Sequence, residues 1–218
     1  VHAPLHAKAE DIERYKARYT EGWDSLREER FARQKALGIV PADTKLPARN
    51  SEPNHDVEAW DSLDEMQREL FARHMAVYAG MVDNIDQNVG RLVAALEQIG
   101  ELDNTIFIFT SDNGASREGE EVGTTSYYVH LLQGNDVEAD HARLDLIGGP
   151  QTTPHYPRGW AMVSNTPFRL YKMTAHAGGH RVPCIFSWPA SAPSTRSCNC
   201  RASPRQRCST PTPIPARA

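Results

Sequence analysis

A long series of apolar residues spaced by three or four positions, followed at once by a short apolar run, limits this chain to an α/β fold. The series covers 66–99 and predicts one long helix over 63–99, with a single face toward a core, ending at Gly100. The next run, "TIFIFT" (105–110), is too short for a helix and lacks alternation, which predicts a strand buried on both faces. A helix leading directly into a buried strand is a unit of an α/β fold.

Other local signals extend this pattern. The segment 11–37 is rich in Glu, Arg, Lys and Ala and predicts a helix, with an interruption near 20–22. Ser62 and Glu65 have the spacing of a capping box, which predicts Ser62 as the N-cap of the long helix. The run "VPCIFSWP" (182–189) predicts a second short strand.

Bulk properties exclude some classes of protein. A net charge of −4 gives no reason to expect a nucleic-acid partner, and no apolar stretch approaches the roughly 20 residues of a membrane span. The opening "VHAPLHAKAE" resembles no signal peptide and lacks an initiating Met, so we expect upstream sequence to be missing and assign no compartment. The Cys residues, at 184, 198, 200 and 208, match no zinc spacing.

The last 28 residues differ from the rest. Residues 191–218 consist mainly of Ser, Pro, Arg and Thr, with five Arg and no acidic residue. Such a segment has too little apolar surface to offset its ordering entropy, which predicts disorder. Its composition also resembles coding sequence read in a shifted frame. We therefore expect one folded domain over 1–190 and a separate tail over 191–218.

Polar residues directly follow the first predicted strand. Asp112 and Asn113 offer the hard oxygen ligands that Ca²⁺ and Mg²⁺ prefer, and Gly114 permits a tight turn. In open α/β sheets, ligands gather beyond the carboxyl ends of such strands. The same residue types are also the commonest turn formers, so a plain surface turn is the alternative interpretation. A long irregular loop at 148–160 is a second candidate for a functional segment.

Four separated segments together resemble one known family. These are "HAPLHA" (2–7) and the segments 15–41, 81–116 and 156–183, which include "TSDNGAS" and "FRLYKMTAHAGGHRVP". In this order they resemble the type I sulfatases (arylsulfatases) of the alkaline-phosphatase-like superfamily, over essentially 1–190. The resemblance implies an α/β sandwich with a mixed, mostly parallel sheet flanked by helices, here partial and incomplete at both ends.

The resemblance also implies roles for individual residues. Asp112 and Asn113 match the carboxylate and amide that hold a divalent cation, calcium more often than magnesium. Lys172 matches the family's sulfate-binding lysine, and an ammonium can stabilise charge on sulfate oxygens as the S–O bond breaks. His2 matches a histidine that contacts the sulfate and assists the leaving oxygen. Lys172 and His2 are thus the implied catalytic and substrate-binding residues, although Ala3 replaces the family's usual aromatic residue.

Part of the family pattern is altered. His176 matches the histidine of the family's His-Glu-Gly-Gly segment, but this chain reads His-Ala-Gly-Gly-His and lacks the acid. We expect His176 either to support the residues that contact the ester or to play a structural role, and Gly178 and Gly179 to form a close backbone turn. Trp160 matches a family position that shapes the site without reacting.

Two further family features have no counterpart in the sequence. The family's nucleophile is a formylglycine made from Cys or Ser in a Cys/Ser-x-Pro-x-Arg motif, and none of the Cys residues here has that spacing. The two N-terminal aspartates that complete the family's metal site are also absent. We therefore expect formylglycine only in a full-length protein, and no turnover by this chain alone.

Three functional interpretations follow. The leading one is a sulfuric ester hydrolase that converts a sulfate monoester and water into an alcohol or phenol and sulfate. A second keeps the superfamily but acts on phosphonate monoesters or phosphodiesters, because sulfate and phosphoryl groups share tetrahedral geometry. A third is a non-catalytic fragment in which helices 11–37 and 63–99 form an interaction scaffold. The leading interpretation predicts a small-molecule sulfate ester as the partner and leaves the oligomeric state open.

Overall fold

The computed structural model describes residues 2–188, which form a helical core and one small sheet. The 191–218 segment, with its predicted disorder, lies outside the described residues. In chain order the elements are α1 (Ala9–Tyr15), α2 (Gly22–Ala36), α3 (Glu65–Gln98), β1 (Phe107–Thr110), α4 (Tyr127–Gln133), α5 (Val137–His141), α6 (Arg158–Ser164), α7 (Ala177–His180) and β2 (Cys184–Ser187). Short 3₁₀ turns lie at Arg18–Glu21, Trp60–Ser62, Leu102–Asn104 and Leu144–Leu146.

The predicted interruption of the first helical segment is present. A 3₁₀ turn separates α1 from α2, and Gly22 at the junction has φ of 81°, a conformation that favours glycine. A Cβ atom at Gly22 would lie 2.2 Å from Cγ of Trp60, so a side chain is excluded on packing grounds as well.

The long helix begins at a different cap from the predicted one. Asp64, not Ser62, is the N-cap of α3: its Oδ1 accepts from the backbone N–H of Gln67 at 2.7 Å, and Gln67 Oε1 accepts from the N–H of Asp64 at 3.1 Å. The hydroxyl of Ser62 instead donates to the Ala59 carbonyl within the preceding 3₁₀ turn. A carboxylate next to the helix start offers a charged acceptor, and the Ser62 hydroxyl is already occupied.

Only the first half of α3 contributes to the core. Its buried residues all lie between Leu70 and Gly80. In the second half the apolar stripe that was predicted to face the core is only partly covered: Leu92, and Ile99 after the helix, are exposed, and Ile85, Val93 and Leu96 are intermediate in exposure. The periodicity was read correctly as a helix, but none of the stripe residues in this half is fully buried.

The centre of the core is a cluster of aromatic side chains from four segments. Trp23 of α2 lies 4.8 Å from Trp60, 5.8 Å from Phe71 and 5.7 Å from Trp160 of α6, measured between ring centroids. All four rings are buried. Trp160 also donates its indole N–H to the Phe71 carbonyl at 2.8 Å, which fixes α6 against α3.

The sheet differs from the expectation of a fully buried strand. β1 pairs with β2 in antiparallel register, with Phe107 opposite Ser187 and Thr110 opposite Cys184. Ile108 and Phe109 are 60% and 50% exposed, so the strand is not buried on both faces. The run of β-branched and aromatic residues does form a strand, but within 2–188 no other strand or helix covers it. The α/β class is confirmed. The predicted sheet was mixed and mostly parallel, and the part of it within residues 2–188 is this one antiparallel pair of strands.

None of the helices within 2–188 combines the length and the apolar character that a membrane span requires.

His74 is a fully buried histidine in the core part of α3. Neither of its ring nitrogens has a hydrogen-bond partner among the described residues. Burial, aided by the neighbouring His155, lowers the pKa of His74 to about 3. The ring is therefore neutral in the folded protein near pH 7.

We expect this histidine to make the fold sensitive to acid. An unfolded histidine takes up a proton as the pH falls below its ordinary pKa of 6.5, whereas folded His74 does so only near pH 3. Between these two pKa values the unfolded state binds more protons than the folded state. The free energy of unfolding therefore decreases as the pH is lowered through this range. The loss due to His74 by pH 4 is on the order of 3 kcal/mol.

Urea unfolding at pH 7 and pH 4.5 tests this expectation. His74→Phe should lose less stability than the wild type between the two pH values, whereas His180→Phe, at an exposed position, should behave like the wild type. An unchanged pH dependence in His74→Phe would contradict the assignment.

Candidate functional site

The predicted metal-binding residues lie in a short turn after β1. Asp112 is exposed, and its Oδ1 accepts from the backbone N–H of Asn113 at 3.0 Å. Ser111 donates its hydroxyl to the Asn113 carbonyl at 2.9 Å. These contacts fix the turn and leave a carboxylate and an amide near solvent at the end of the strand.

Gly114 ties this turn to the segment that precedes β2. Its N–H donates to the Gly179 carbonyl at 3.0 Å, and a Cβ atom at position 114 would lie 1.6 Å from the carbonyl oxygen of Gly178. Only glycine allows this approach. The predicted close turn at Gly178 and Gly179 is present, since both are buried and a Cβ atom at either would lie 2.1 Å from a backbone carbonyl oxygen.

Asn165 connects the same turn to the loop that carries Lys172. Its Oδ1 accepts from the Ala115 N–H at 2.8 Å, and its Nδ2 donates to the Leu170 carbonyl at 2.9 Å. The backbone N–H of Lys172 donates to the Ala115 carbonyl at 3.0 Å. Lys172 is therefore held beside a residue only three positions after Asp112.

The N-terminal segment is anchored to the irregular loop 148–160. The Leu5 N–H donates to the Pro154 carbonyl at 3.1 Å, and the His6 Nε2 lies 2.6 Å from the Thr152 carbonyl oxygen. The side chain of Leu5 is fully buried. These contacts place His2, three residues before Leu5, over the loop that carries Lys172.

Three side chains meet at this point. The Nζ of Lys172 lies 3.0 Å from Nε2 of His2 and 3.2 Å from Oε1 of Glu118, and Oε2 of Glu118 lies 3.2 Å from Nε2 of His2. The side chains of Lys172 and Glu118 are 25% and 23% exposed, whereas that of His2 is 52% exposed. Burial acts to raise the pKa of Glu118, but the hydrogen bond and charge of Lys172, with a smaller effect of His2, hold it below its usual value.

The proton on His2 determines which neighbour it bonds. Its Nδ1 lies 3.2 Å from the Ala3 carbonyl oxygen, which can only accept, so Nδ1 carries a proton. In the neutral ring Nε2 then accepts from the Lys172 ammonium. In the protonated ring Nε2 donates to the Glu118 carboxylate.

A buried histidine, His155, is connected to Glu118 through Ser116. His155 Nδ1 donates to the Tyr156 carbonyl at 2.9 Å, and its Nε2 lies 3.1 Å from Oγ of Ser116. Burial lowers the pKa of His155 to about 4, so the ring is neutral and Nε2 accepts from the Ser116 hydroxyl. Ser116 Oγ in turn accepts from the backbone N–H of Glu118 at 3.2 Å.

Comparison with known protein families identifies the group to which this chain belongs. The model of the sulfatase family matches residues 1–206. The chain is a member of the sulfatase family. The resemblance drawn from the separated segments is confirmed, and with it the alkaline-phosphatase-like α/β class.

The first two relatives match most of the chain, and every relative named here is matched over only part of its own length. An uncharacterized sulfatase of Schizosaccharomyces pombe is 37% identical over 189 residues, which are 86% of this chain and 32% of that protein. An arylsulfatase of Klebsiella aerogenes is 33% identical over 189 residues, 86% of this chain and 38% of that protein. A multifunctional alkaline phosphatase superfamily protein of Trinickia caryophylli is 36% identical over 72 residues, 33% of this chain and 12% of that protein. The chain thus spans about a third of the length of the first two relatives.

The structure of this sulfatase chain brings together some of the predicted site residues. Lys172 and His2 are in contact. Asp112 and Asn113 lie on the adjoining segment, and within 2–188 no hydrogen bond or ion pair joins them to Lys172 or His2. His176 is exposed at the N-cap of α7 and makes no side-chain cap bond, and Trp160 belongs to the core.

Sequence reasoning did not single out Glu118, Ser116 or His155. Glu118 stands in "SREGEE" (116–121), a run of charges that is typical of a solvated loop. His155 lies in the loop 148–160, which was singled out for its length, but no spacing links that histidine to Ser116. The available signal was position alone: Glu118 follows the Asp-Asn-Gly turn by four residues.

The turn after β1 suits a divalent cation only as part of a ligand set. A carboxylate and a carboxamide from adjacent residues supply two oxygen ligands, and Ca²⁺ takes about six to eight. Within 2–188 no group of three or more His, Cys, Asp or Glu side chains is arranged to hold a metal ion. The donor chemistry of Asp112 and Asn113 fits calcium or magnesium, and these residues would be two ligands among several.

Proposed function

We propose that this chain is part of the catalytic domain of a sulfuric ester hydrolase of the arylsulfatase type. The observation that carries the proposal is the convergence of Lys172 and His2, with Nζ and Nε2 3.0 Å apart, beside the Asp112 segment. The membership of the family supports the same activity. The reaction would convert a sulfate monoester and water into an alcohol or phenol and sulfate.

Lys172 and His2 would have different roles in hydrolysis of the ester. The Lys172 ammonium would bind the sulfate oxygens and stabilise the charge that develops on them as the S–O bond breaks. Protonated His2 would donate its Nε2 proton to the leaving oxygen, which would otherwise depart as an alkoxide or phenoxide. We assign the nucleophile to no residue of this chain, because none lies in a Cys/Ser-x-Pro-x-Arg motif, and we expect no turnover from these 218 residues alone.

Asp112 and Asn113 would hold the divalent cation, for which we propose calcium. When bound, the cation would draw electron density from the sulfate oxygens. The contacts of Ser111 and Gly114 would fix the backbone of the turn that carries both ligands, and the Lys172 backbone is bonded to Ala115 in the adjoining segment.

Calcium should stabilise the natural protein, by which we mean the full-length protein that contains this chain, through binding to Asp112. A ligand at 100 times its Kd adds about 2.7 kcal/mol to the free energy of unfolding, so the thermal midpoint should rise with Ca²⁺ and rise less with Mg²⁺. Asp112→Asn should lose most of this rise. Asp43→Asn, which removes the same charge from an exposed loop, should keep it.

Thermal unfolding with and without each ion gives a direct answer. Equal calcium stabilisation in Asp112→Asn and in the wild type would show that the ion binds elsewhere. A wild type that calcium does not stabilise would remove the metal proposal.

A second candidate reaction is hydrolysis of phosphonate monoesters or phosphodiesters. It is supported by the tetrahedral geometry that sulfate and phosphoryl groups share, and by the similarity to a protein of Trinickia caryophylli that is named as a multifunctional member of the alkaline phosphatase superfamily. Rates of the natural protein on an aryl sulfate, an aryl phosphonate monoester and a phosphodiester, measured side by side, test both. A clear preference for the phosphorus esters would overturn the sulfatase proposal in favour of this one.

A further inference from the structure

We propose that Glu118 is a positioning residue, which holds the Lys172 ammonium and the His2 ring in the arrangement that the ester meets. One carboxylate oxygen contacts Lys172 at 3.2 Å and the other contacts His2 at 3.2 Å. No other carboxylate within 2–188 contacts either residue. The inference rests on the proposed function for its role in the reaction, but the contact itself does not.

The backbone of Glu118 is itself fixed. Ser116 accepts its N–H at 3.2 Å, and Ser116 is held by the buried His155. The next residue, Gly119, passes so close to the Tyr156 carbonyl that a Cβ atom there would lie 2.1 Å from its oxygen. A carboxylate on such a fixed backbone can restrain a long, flexible lysine side chain.

A carboxylate beside Lys172 should also have an unfavourable effect on substrate binding, and this effect makes the positioning role testable. Its negative charge offsets that of Lys172, so Glu118 should weaken the binding of an anionic ester in the ground state. Its contribution would therefore lie in orientation, where a displacement of about 1 Å can lower a rate about 100-fold. Loss of Glu118 should then lower kcat without raising KM.

The contact can be tested without substrate. Lys172 in the natural protein should react slowly with acetic anhydride, because its ammonium is engaged by Glu118. In Glu118→Gln we expect labelling of Lys172, read by mass spectrometry, to be at least about threefold faster, with Lys45 as the internal reference. Glu97→Gln, which removes the same charge from an exposed position on α3, should leave both rates unchanged. An unchanged labelling rate of Lys172 in Glu118→Gln would overturn the proposal.

Steady-state kinetics then test the role in the reaction. For Glu118→Gln in the full-length natural protein, with an aryl sulfate as substrate, we expect kcat to fall about 10-fold or more, while KM stays the same or falls. Glu118→Asp, which keeps the charge but shortens the reach, should recover only part of kcat. A Glu118→Gln variant with lower KM and unchanged kcat would show that Glu118 only repels the substrate, and would overturn the proposal.

These results separate this inference from the proposed function. If the full-length natural protein without substitutions hydrolyses no sulfate ester, the proposed function fails, and the labelling experiment alone decides whether Glu118 holds Lys172. If the wild type is active and both Glu118→Gln experiments give wild-type values, only the positioning role fails. Thermal unfolding of each variant shows that it is folded before either test is interpreted.

Discussion

Replacement of Trp160 by alanine is expected to lower the free energy of unfolding by about 3–5 kcal/mol. Its ring is fully buried and lies within 5.7 Å of Trp23 and 5.5 Å of Trp60, between ring centroids. The indole N–H also donates to the Phe71 carbonyl at 2.8 Å. The cavity would open where α2, α3 and α6 meet, so the surrounding rings cannot close it without moving a helix.

Chemical unfolding followed by circular dichroism measures the loss. Trp188→Ala is the matched control, since Trp188 also donates its indole N–H to a backbone carbonyl but its side chain is 64% exposed. That change should cost about 1 kcal/mol or less. Trp160→Phe, which keeps most of the volume and removes the N–H, should fall between the two. Similar losses at positions 160 and 188 would contradict the assignment of the core.

Lys172→Ala should lower kcat/KM of the natural protein about 100- to 1,000-fold on an aryl sulfate, because it removes the proposed cation at the developing negative charge. Lys172→Arg keeps the charge, but its planar group cannot occupy the same point between His2 and Glu118, so only partial activity should return. Lys45→Ala is the control for loss of a lysine away from the site.

A loss of activity in Lys172→Ala counts only if the variant remains folded. The change leaves the partly buried Glu118 carboxylate without the ammonium that lies 3.2 Å from it, and a lower thermal midpoint would reveal any structural effect. Wild-type kcat/KM in a folded Lys172→Ala variant would exclude Lys172 from the reaction.

Periodicity predicted the elements of the fold better than it predicted their environment. The helix of α3, the break between α1 and α2 and both strands were expected from spacing and composition. The exposure of β1 was not expected, because a run such as "TIFIFT" shows which residues favour a covered strand but not which segments cover it. The N-cap was missed by two residues because Ser62 and Asp64 both fit a cap, and their competing contacts appear only in three dimensions.

For the candidate site, the family resemblance indicated single residues, and the structure shows which of them lie together. Lys172 and His2 are 170 positions apart in sequence, and no spacing rule could have placed Nζ and Nε2 within 3.0 Å. The role of Asn165 as the link between Ala115 and Leu170 was equally hidden, since both bonds depend on tertiary packing. Glu118 was missed for the opposite reason: it stands among charged neighbours, where a side chain is usually solvated.

The exposed strand pair has a practical consequence for work with this chain. Ile108 and Phe109 on β1 and Ile185 on β2 face water, and two strands alone are marginally stable without a covering layer. Open edges with apolar side chains can accept a strand from a neighbouring molecule. Samples of the chain at high concentration should therefore tend toward self-association that begins at this ribbon and leaves the tryptophan-rich interior intact.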